Sequence, residues 1–195
     1  MLRDQLTATT TRLPAQALLV RTAQPDDYDE MRTVVRAAFR QYSGVMLPPP
    51  IFERYLADLL DLERHATTGV PLVVEAEGRI RASAIFYPDA YGLGLNLPSG
   101  WAAGRALAVH PEVRGRGVAS SLLAEGERLA RSIGAPVFAF HTASFMSSAQ
   151  ALYERLGYRR AQEFDYDLAE WYGLSMPART VSLAYRRDLT SRYAA

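Results

Sequence analysis

Residues 107–119 read LAVHPEVRGRGVA, and this stretch decides the fold class. An apolar segment that predicts a strand ends at Val109, and a basic loop with two glycines follows it. Pro111 cannot donate a hydrogen bond to a neighbouring strand, so the strand stops before it. The apolar positions that follow recur at helical spacing and predict one face of a helix over 117–133: Val118, Leu122, Leu129 and Ile133. The stretch therefore predicts a strand, a loop and a helix in direct succession.

The loop and the start of this helix predict a binding site for a phosphate group. The first N–H groups of a helix lack partners within it, and the helix dipole makes that end positive. Gly115 and Gly117 let the backbone approach a ligand, and Arg114 and Arg116 add positive charge. A Walker loop needs a Gly-Lys-Ser/Thr triplet that the chain lacks, and GRGVAS lacks the third glycine of a dinucleotide fingerprint. The alternative is an ordinary helix entry with solvated arginines.

The rest of the chain predicts one mixed α/β domain around this unit. Residues 1–16 are expected to form a loose tail, and 17–195 a single domain. Antiparallel strands come first, and a βαβ unit lies in the middle. The predicted strands are 17–22, 70–76, 79–87, 102–109, 136–141, 158–168 and 180–189. The predicted helices are 24–39, 51–64, 117–133 and 147–156.

Composition is that of an ordinary globular protein and argues against several classes. Hydrophobic residues make up 49% and charged residues 22%. A net charge of +1 gives no electrostatic case for binding nucleic acid or an anionic membrane. No apolar run approaches the ~20 residues that span a bilayer, and the first residues do not resemble a secretory signal. The absence of cysteine and the three scattered histidines predict a soluble, cytoplasmic protein without a metal site.

Two segments together carry a resemblance to a known family. RGRGVA at 114–119 is similar to the R/Q-x-x-G-x-G/A motif of the GNAT N-acetyltransferases, and AQALYERLGY at 149–158 resembles their A-x-x-L-Y-x-x-x-G-F/Y segment. The resemblance implies a GNAT-like α/β fold, with a mixed, mostly antiparallel twisted sheet and a central βαβ unit that binds acetyl-CoA. It implies an enzyme that transfers an acetyl group from acetyl-CoA to a primary amine of a small molecule or protein. The alternative is a GNAT-shaped protein that binds CoA or a metabolite with weak catalysis or none; a homodimer is left open.

The resemblance also assigns roles to individual residues. The turn binds the CoA pyrophosphate through backbone N–H groups, and the end of the preceding strand pairs with the pantetheine arm. The cofactor-binding residues so implied are Leu107, Ala108, Val109, Arg114, Gly115, Arg116, Gly117, Val118, Ala119 and Ser120. Tyr153 matches the family's general acid, since a phenol can protonate a departing thiolate held beside it. The alternative for Tyr153 is a core tyrosine on an amphipathic helix.

The match to the family is weaker at the base that takes a proton from the amine. Many relatives carry a glutamate where this chain has Ala103. His141, at the end of a predicted strand, is a candidate base because an imidazole can accept a proton near neutral pH. Glu75, a chain of water molecules or an amine that arrives neutral are the alternatives. Met146 replaces an asparagine that contacts the CoA arm in many relatives, and three serines are candidates to substitute for it: Ser144, Ser147 and Ser148.

The family's acceptor site lies between the first two helices and the loop joining the third and fourth strands. Here these segments are 40–50 and 88–100. Their large side chains are mostly apolar or aromatic: Tyr42, Val45, Met46, Tyr91, Leu93 and Leu95. Only Asp89 is acidic, which does not favour a polyamine or an aminoglycoside as the acceptor. The alternative is that both segments are ordinary covering loops.

Overall fold

The computed structural model describes residues 18–44, 48–93, 96–175 and 179–189. The predicted tail 1–16, the first residue of the first predicted strand, and part of the predicted acceptor loops lie outside these ranges. The loop residues concerned are Val45, Met46 and Leu95.

The described residues form one sheet, as the sequence predicts, but it has eight strands where seven are predicted. Its strands are β1 (Leu19–Thr22), β2 (Val70–Ala76), β3 (Arg79–Tyr87), β4 (Ala102–Val109), β5 (Val137–Ala143), β6 (Arg159–Arg160), β7 (Tyr166–Asp167) and β8 (Val181–Asp188). The spatial order is β1-β2-β3-β4-β5-β8-β6, and β7 also pairs with β8. Only β4 and β5 are parallel, so the mixed, mostly antiparallel sheet is confirmed.

Helices cover both faces of this sheet. They are α1 (Tyr28–Phe39), α2 (Pro49–Leu60), α3 (Leu62–Ala66), α4 (Val118–Ser132), α5 (Ser147–Arg155) and α6 (Leu168–Trp171). Successive strand side chains point to opposite faces. Ala139 therefore joins the core under α1 and α2, while Phe138 and Phe140 join the core under α4 and α5. The parallel pair β4–α4–β5 is the predicted central βαβ unit.

A glycine brings α4 close to the sheet. An added Cβ at Gly126 would lie 2.7 Å from Cζ of Phe138, well inside van der Waals contact. The missing side chain lets the helix backbone rest on the ring of Phe138. Interiors are packed to the density of organic crystals, so this contact fixes the helix over β5. The N-terminus of α4 is held beside the end of β4 as a result.

Three sequence predictions about elements are wrong. The predicted helix 51–64 is two helices, because Asp61 leaves the helical conformation (φ −81°, ψ 66°) and its carboxylate caps α3 by accepting from the N–H of Arg64. Ile133 does not join the inward stripe of α4. It is 52% exposed because the helix ends at Ser132 and the chain turns away there.

The third wrong prediction is a continuous strand over 158–168. The chain forms only β6 and β7, with a 3₁₀ turn at Gln162–Phe164 between them and α6 after them. The carboxylate of Asp165 explains the interruption, because it accepts a hydrogen bond of 2.8 Å from the N–H of Ala184 in β8. It also forms an ion pair with Arg160. A side chain thus takes the place of the carbonyl that a continuous strand would offer to β8.

β4 and β5 pair over only a short length and then part. Their register runs from Ala102–Phe138 to Gly104–Phe140 and ends there. Beyond that point the β3–β4 register shifts, and Ala106 adopts a positive φ of 55°, which marks a bulge in β4. His141 is the first residue of β5 past the last pair, so it lies at the mouth of the split between the two strands.

Candidate active site

A cleft of about 430 Å³ lies where β4 and β5 part. Phe39 and Tyr55 line it from the α1–α2 side of the sheet, and Leu122 and Tyr153 line it from the α4–α5 side. The cleft is therefore bordered by side chains from both faces of the sheet. A ligand that binds there can approach the gap between the strands from either face.

The turn before α4 presents free backbone N–H groups to this cleft. Gly115 and Gly117 adopt left-handed φ values of 74° and 80°, which a residue with a side chain adopts at a cost. Gly117 is the N-cap of α4, and its carbonyl accepts the N–H of Ser121. The N–H groups of the first turn have no partners within the helix and lie at the positive end of its dipole. This geometry suits a phosphate group.

Most residues implied as cofactor ligands come together along the cleft. Those that line it are Leu107, Val109, Arg114, Gly115, Gly117, Val118, Ala119 and Ser120. Ala108 does not, because its side chain is buried in the core under α1 and α2, so it can reach a ligand only through its backbone. Arg116 is exposed and lies outside the lining.

The side chain of Arg114 is bound by protein groups. Its Nη2 donates a hydrogen bond of 3.0 Å to the carbonyl of Ala38, and Nη1 donates one of 3.3 Å to Oε1 of Gln41. Arg114 thus ties the glycine turn to the end of α1. It contributes positive charge at the edge of the cleft.

Tyr153 reaches the cleft from α5. Its ring packs on Phe140 with 4.2 Å between centroids and on Tyr185 with 5.6 Å. Burial raises the pKa of the phenol above its ordinary value, so Tyr153 carries its proton at neutral pH. Aromatic packing on a helix fixes the ring, and this arrangement meets the requirement for a proton donor at a defined position.

His141 is held as a neutral imidazole. Its Nε2 lies 2.9 Å from the carbonyl oxygen of Phe164, and because a carbonyl only accepts, Nε2 is the nitrogen that carries the proton. Nδ1 is buried and has no hydrogen-bond partner among the described residues. Burial, with a smaller contribution from the charge of Arg105, lowers the pKa of His141 to about 4. The site therefore contains an unprotonated nitrogen that can accept a hydrogen bond.

The remaining residues considered for the site do not all line the cleft. Ala103 is fully buried in the core, so β4 supplies no carboxylate there. Glu75 lies on β2 and pairs with Arg21 at 3.0 Å, away from the cleft lining. Met146 lines the cleft, and of the three serines considered to replace the family's asparagine, Ser148 lines it whereas Ser144 and Ser147 do not.

Of the described residues named for the acceptor loops, one lines the cleft, and it is Tyr42. Tyr91 is 75% exposed, and Leu93 packs against the core under α1 and α2; neither borders the cleft. On this side of the sheet the cleft is bordered by α1 and α2, through residues such as Phe39 and Tyr55.

The structure adds a buried ion pair that the sequence analysis missed. Arg105 on β4 has a side chain that is only 11% exposed and pairs with Asp58 of α2. Asp58 also pairs with Arg64 and accepts a hydrogen bond of 3.2 Å from the hydroxyl of Tyr172. A signal was present in the sequence, because Arg105 is the only charged residue in the apolar strand AAGRALAV. Charged side chains are rarely buried unless they are paired, so such a residue points to a partner or a ligand.

Two structural findings concern metals and membranes. The part of the chain that the structure describes contains no group of three or more His, Asp or Glu residues placed to hold a metal ion. Within the same ranges, the helices are too short or too polar to cross a bilayer.

Comparisons with known proteins agree with this geometry. A protein from Desulfovibrio desulfuricans, assigned to the GNAT family of acetyltransferases, is 19% identical with a TM-score of 0.65 over 89% of this chain and 100% of its own. PaiA N-acetyltransferase from Thermoplasma acidophilum, solved with coenzyme A, is 12% identical with a TM-score of 0.65, covering 88% and 99%. YncA from Salmonella typhimurium, assigned as an acetyltransferase and solved with acetyl-CoA, is 17% identical with a TM-score of 0.60, covering 91% and 97%.

At these identities the likeness to solved structures shows the fold. No curated protein sequence matches the chain. The model of the acetyltransferase (GNAT) family, however, matches residues 31–158, which include the glycine turn, His141 and Tyr153. The match spans most of the described sheet and the whole β4–α4–β5 unit. This chain therefore belongs to the GNAT family of acetyltransferases, a family of acyltransferases.

Proposed function

We propose that this protein transfers an acetyl group from acetyl-CoA to a primary amine, and that the two meet in the cleft between β4 and β5. The observation that carries the proposal is the continuity of this cleft. It joins a phosphate-binding helix start to the gap between two parted parallel strands, where Tyr153 and His141 lie. Acetyl-CoA has a pyrophosphate near one end and a thioester at the other, and a cleft of this kind suits both. Two structural relatives were solved with CoA or acetyl-CoA.

The backbone is the main cofactor ligand in this proposal. The pyrophosphate accepts hydrogen bonds from the N–H groups of the glycine turn and the first turn of α4. The pantetheine arm lies along Leu107–Val109, because β4 has no pairing with β5 beyond Gly104 and its backbone groups on that side are free for a ligand. We propose that residues 17–195 act as one domain, which the continuous sheet of the described residues supports.

Two side chains handle protons in the proposed reaction. The amine nitrogen attacks the carbonyl carbon, the C–S bond breaks, and the thiolate leaves as CoA. Tyr153 donates its proton to the sulfur as the C–S bond breaks, because a phenol held beside the departing thiolate can act as its general acid. His141 accepts a hydrogen bond at Nδ1 from the attacking amine. A pKa of about 4 makes it too weak a base to deprotonate an ammonium ion, so the amine reacts in its neutral form. The proton that the nitrogen loses as the amide forms passes to solvent, and Tyr153 is reprotonated from solvent.

Replacing Tyr153 by phenylalanine tests this assignment. The ring contacts with Phe140 and Tyr185 remain, while the hydroxyl proton is lost. We expect kcat for CoA release to fall ~10–10³-fold, with KM for acetyl-CoA nearly unchanged, because the hydroxyl acts when charge develops on sulfur. CoA release is measured with a thiol reagent across a panel of primary amines.

Tyr158→Phe is the matched control. Tyr158 belongs to the same aromatic cluster, but its hydroxyl donates to Glu127 and is not part of the cleft lining. Removing the Tyr158 hydroxyl should leave kcat within about twofold of the parent value. A Tyr153→Phe variant with unchanged kcat, in an assay limited by chemistry, would assign Tyr153 to packing and leave the thiolate without a protein proton donor.

A further inference from the structure

Two buried polar atoms that have no hydrogen-bond partner among the described residues lie on the α1–α2 side of the strand gap. They are Nε of Arg105, which only donates, and Nδ1 of His141, which accepts because the proton is on Nε2. Buried polar groups in folded proteins are nearly always hydrogen-bonded, and each exception needs an explanation. A catalytic cleft supplies one explanation, since a bound substrate can provide the missing partners.

Arg105 and His141 line the same small cavity. It has a volume of about 40 Å³ and shares several wall residues with the main cleft: Tyr55, Gly104, Arg105, Ala106, His141 and Thr142. A volume of this size admits a group about as large as one or two water molecules. The cavity therefore extends the cleft far enough to take one small polar group of a ligand whose remainder stays in the larger space.

The charge around this cavity favours an anion. Both carboxylate oxygens of Asp58 are occupied, Oδ1 by Arg64 and Oδ2 by Arg105 and the Tyr172 hydroxyl. Asp58 therefore has no unoccupied carboxylate oxygen, and His141 is neutral. No acidic residue lines the small cavity within the described ranges. A guanidinium with a free N–H group in a buried position is the side chain best suited to bind a carboxylate.

Neighbouring contacts fix both groups in place. His65 donates from Nε2 to the carbonyl of Asp58 at 2.8 Å and accepts at Nδ1 from the hydroxyl of Tyr87. Through these two bonds His65 links the end of α2 to β3, and Asp58 is held against Arg105. His141 is fixed by the Phe164 carbonyl and by the ring of Tyr166, 4.9 Å away. The donor and the acceptor are therefore preorganised before any substrate arrives.

We infer that the acceptor is an α-amino acid, whose carboxylate accepts a hydrogen bond from Arg105 while its amine donates one to Nδ1 of His141. This rests on the proposed function and names its substrate class. One molecule then satisfies the unpaired donor and the unpaired acceptor together, and it presents its nitrogen at the gap where the thioester lies. The aromatic walls that Phe39, Tyr42 and Tyr55 supply to the main cleft favour an apolar or aromatic side chain.

Matched substrates test the carboxylate contact. The twenty standard amino acids are compared with their decarboxylated amines and their carboxamides, for instance phenylalanine with 2-phenylethylamine and phenylalaninamide. We expect kcat/KM to be at least ~10²-fold higher for one or more amino acids than for the two analogues, since a site built around a polar substrate group is left with unpaired atoms by an analogue that lacks it. Arg105→Gln should lower this ratio at least tenfold, mainly through KM for the amino acid, and Arg105→Lys should restore part of it.

Arg64→Gln is the control, because Arg64 pairs with the same Asp58 but lies outside both cavities. The Arg64→Gln variant should keep the parent ratio of kcat/KM between amino acids and their analogues. A wild-type protein that acetylates the analogues as well as the amino acids, or an Arg105→Gln variant that keeps the parent ratio, overturns the inference and leaves the small cavity to water.

Binding measured without turnover separates this inference from the proposed function. The amino acids are titrated calorimetrically into the CoA-loaded protein and into its Arg105→Gln variant. Amino-acid binding that depends on Arg105 but gives no acetylation supports the inference and contradicts the proposed function. Acetylation of amines without carboxylates, together with an absence of amino-acid binding, supports the proposed function and contradicts the inference.

Discussion

His141 illustrates how position changes the chemistry of one side chain. A histidine in water titrates near pH 6.5, and the sequence alone offers His141 as a base of about that strength. In the fold its Nε2 donates to Phe164, its Nδ1 is buried, and the charges of Arg105 and Arg160 lie near it. Burial is the largest influence and lowers the pKa, while the hydrogen bond to Phe164 and the carboxylate of Asp165 act in the opposite direction and are outweighed. The residue becomes a hydrogen-bond acceptor that stays neutral well below pH 7.

The low pKa of His141 should make stability depend on pH. The unfolded chain, with a histidine pKa of ~6.5, takes up a proton before the folded protein, whose pKa is about 4. The stabilisation is therefore present above pH ~6.5 and is lost as the pH falls towards 4. Between pH 7 and pH 5 the loss from this residue should be ~2 kcal/mol.

Urea denaturation of the parent and of His141→Gln at pH 7 and pH 5 measures this contribution. The glutamine amide can still donate to Phe164 but does not titrate. The variant should lose ~2 kcal/mol less stability than the parent between the two pH values. Equal losses would mean that His141 titrates in the folded protein as it does in the unfolded chain, and that burial does not lower its pKa.

At the scale of one element, α4 combines packing with binding. Gly126 allows it to lie on Phe138, and Gly117 at its N-cap places the first free N–H groups at the cleft. The apolar stripe of the helix holds the same N-terminus in position through Val118 and Leu122. An anion site of this kind depends on the orientation of a whole helix, since the N–H groups and the dipole act together.

Gly117→Asp should abolish acetyl-CoA binding. The new carboxylate would lie at the helix N-terminus, where it competes with the pyrophosphate for the N–H groups and repels its charge. We expect Kd to rise at least ~100-fold and the ligand-induced rise in melting temperature to disappear.

Gly134→Asp, just past the other end of α4, is the matched control for this variant. Both glycines have left-handed φ values, 80° and 73°, and open space around an added Cβ, so the backbone strain is alike. The control should bind acetyl-CoA as the parent does. Tight binding by Gly117→Asp would place the phosphate site elsewhere.

At the scale of the whole molecule, the sheet has two parts that meet over three residue pairs of β4 and β5. Other contacts must hold the C-terminal part in place. Glu127 of α4 supplies one of them, because its Oε1 accepts from the Tyr158 hydroxyl at 2.8 Å and from Arg187 of β8 at 2.9 Å. The helix that begins at the phosphate site is thus bound to the last strand of the sheet, and the split between β4 and β5 keeps its shape.

Glu127→Ala should destabilise the fold far more than Glu125→Ala. The first change leaves the buried Tyr158 hydroxyl without its acceptor, which costs ~1–3 kcal/mol, and Arg187 keeps only its bond to the carbonyl of Leu156. Glu125 pairs only with Arg128, whose side chain is 63% exposed, and such surface pairs contribute ~0–1 kcal/mol. Urea denaturation of both variants gives the comparison. Similar losses of unfolding free energy would show that the Glu127 network does not tie α4 to β8.

The sequence by itself determined the elements whose signals are local. The bounds of β2, β3 and β4 follow from alternating and apolar runs, the turn at 77–78 from its glycine, and the start of α4 from Gly117. These features depend on residues within one turn or one strand of each other, so periodicity and glycine positions reveal them. The motifs at 114–119 and 149–158 determined the family for the same reason, since each lies within one short segment.

Only the tertiary structure decided what depends on partners far apart in the chain. Asp165 interrupts a predicted strand through Ala184, 19 residues away, and Phe164 fixes the tautomer of His141 across 23 residues. Arg105 meets Asp58 across 47 residues. A pattern of hydrophobic and polar residues shows which face of an element is buried, but a buried polar group takes its partner, its pKa and its role from the elements that the fold packs against it.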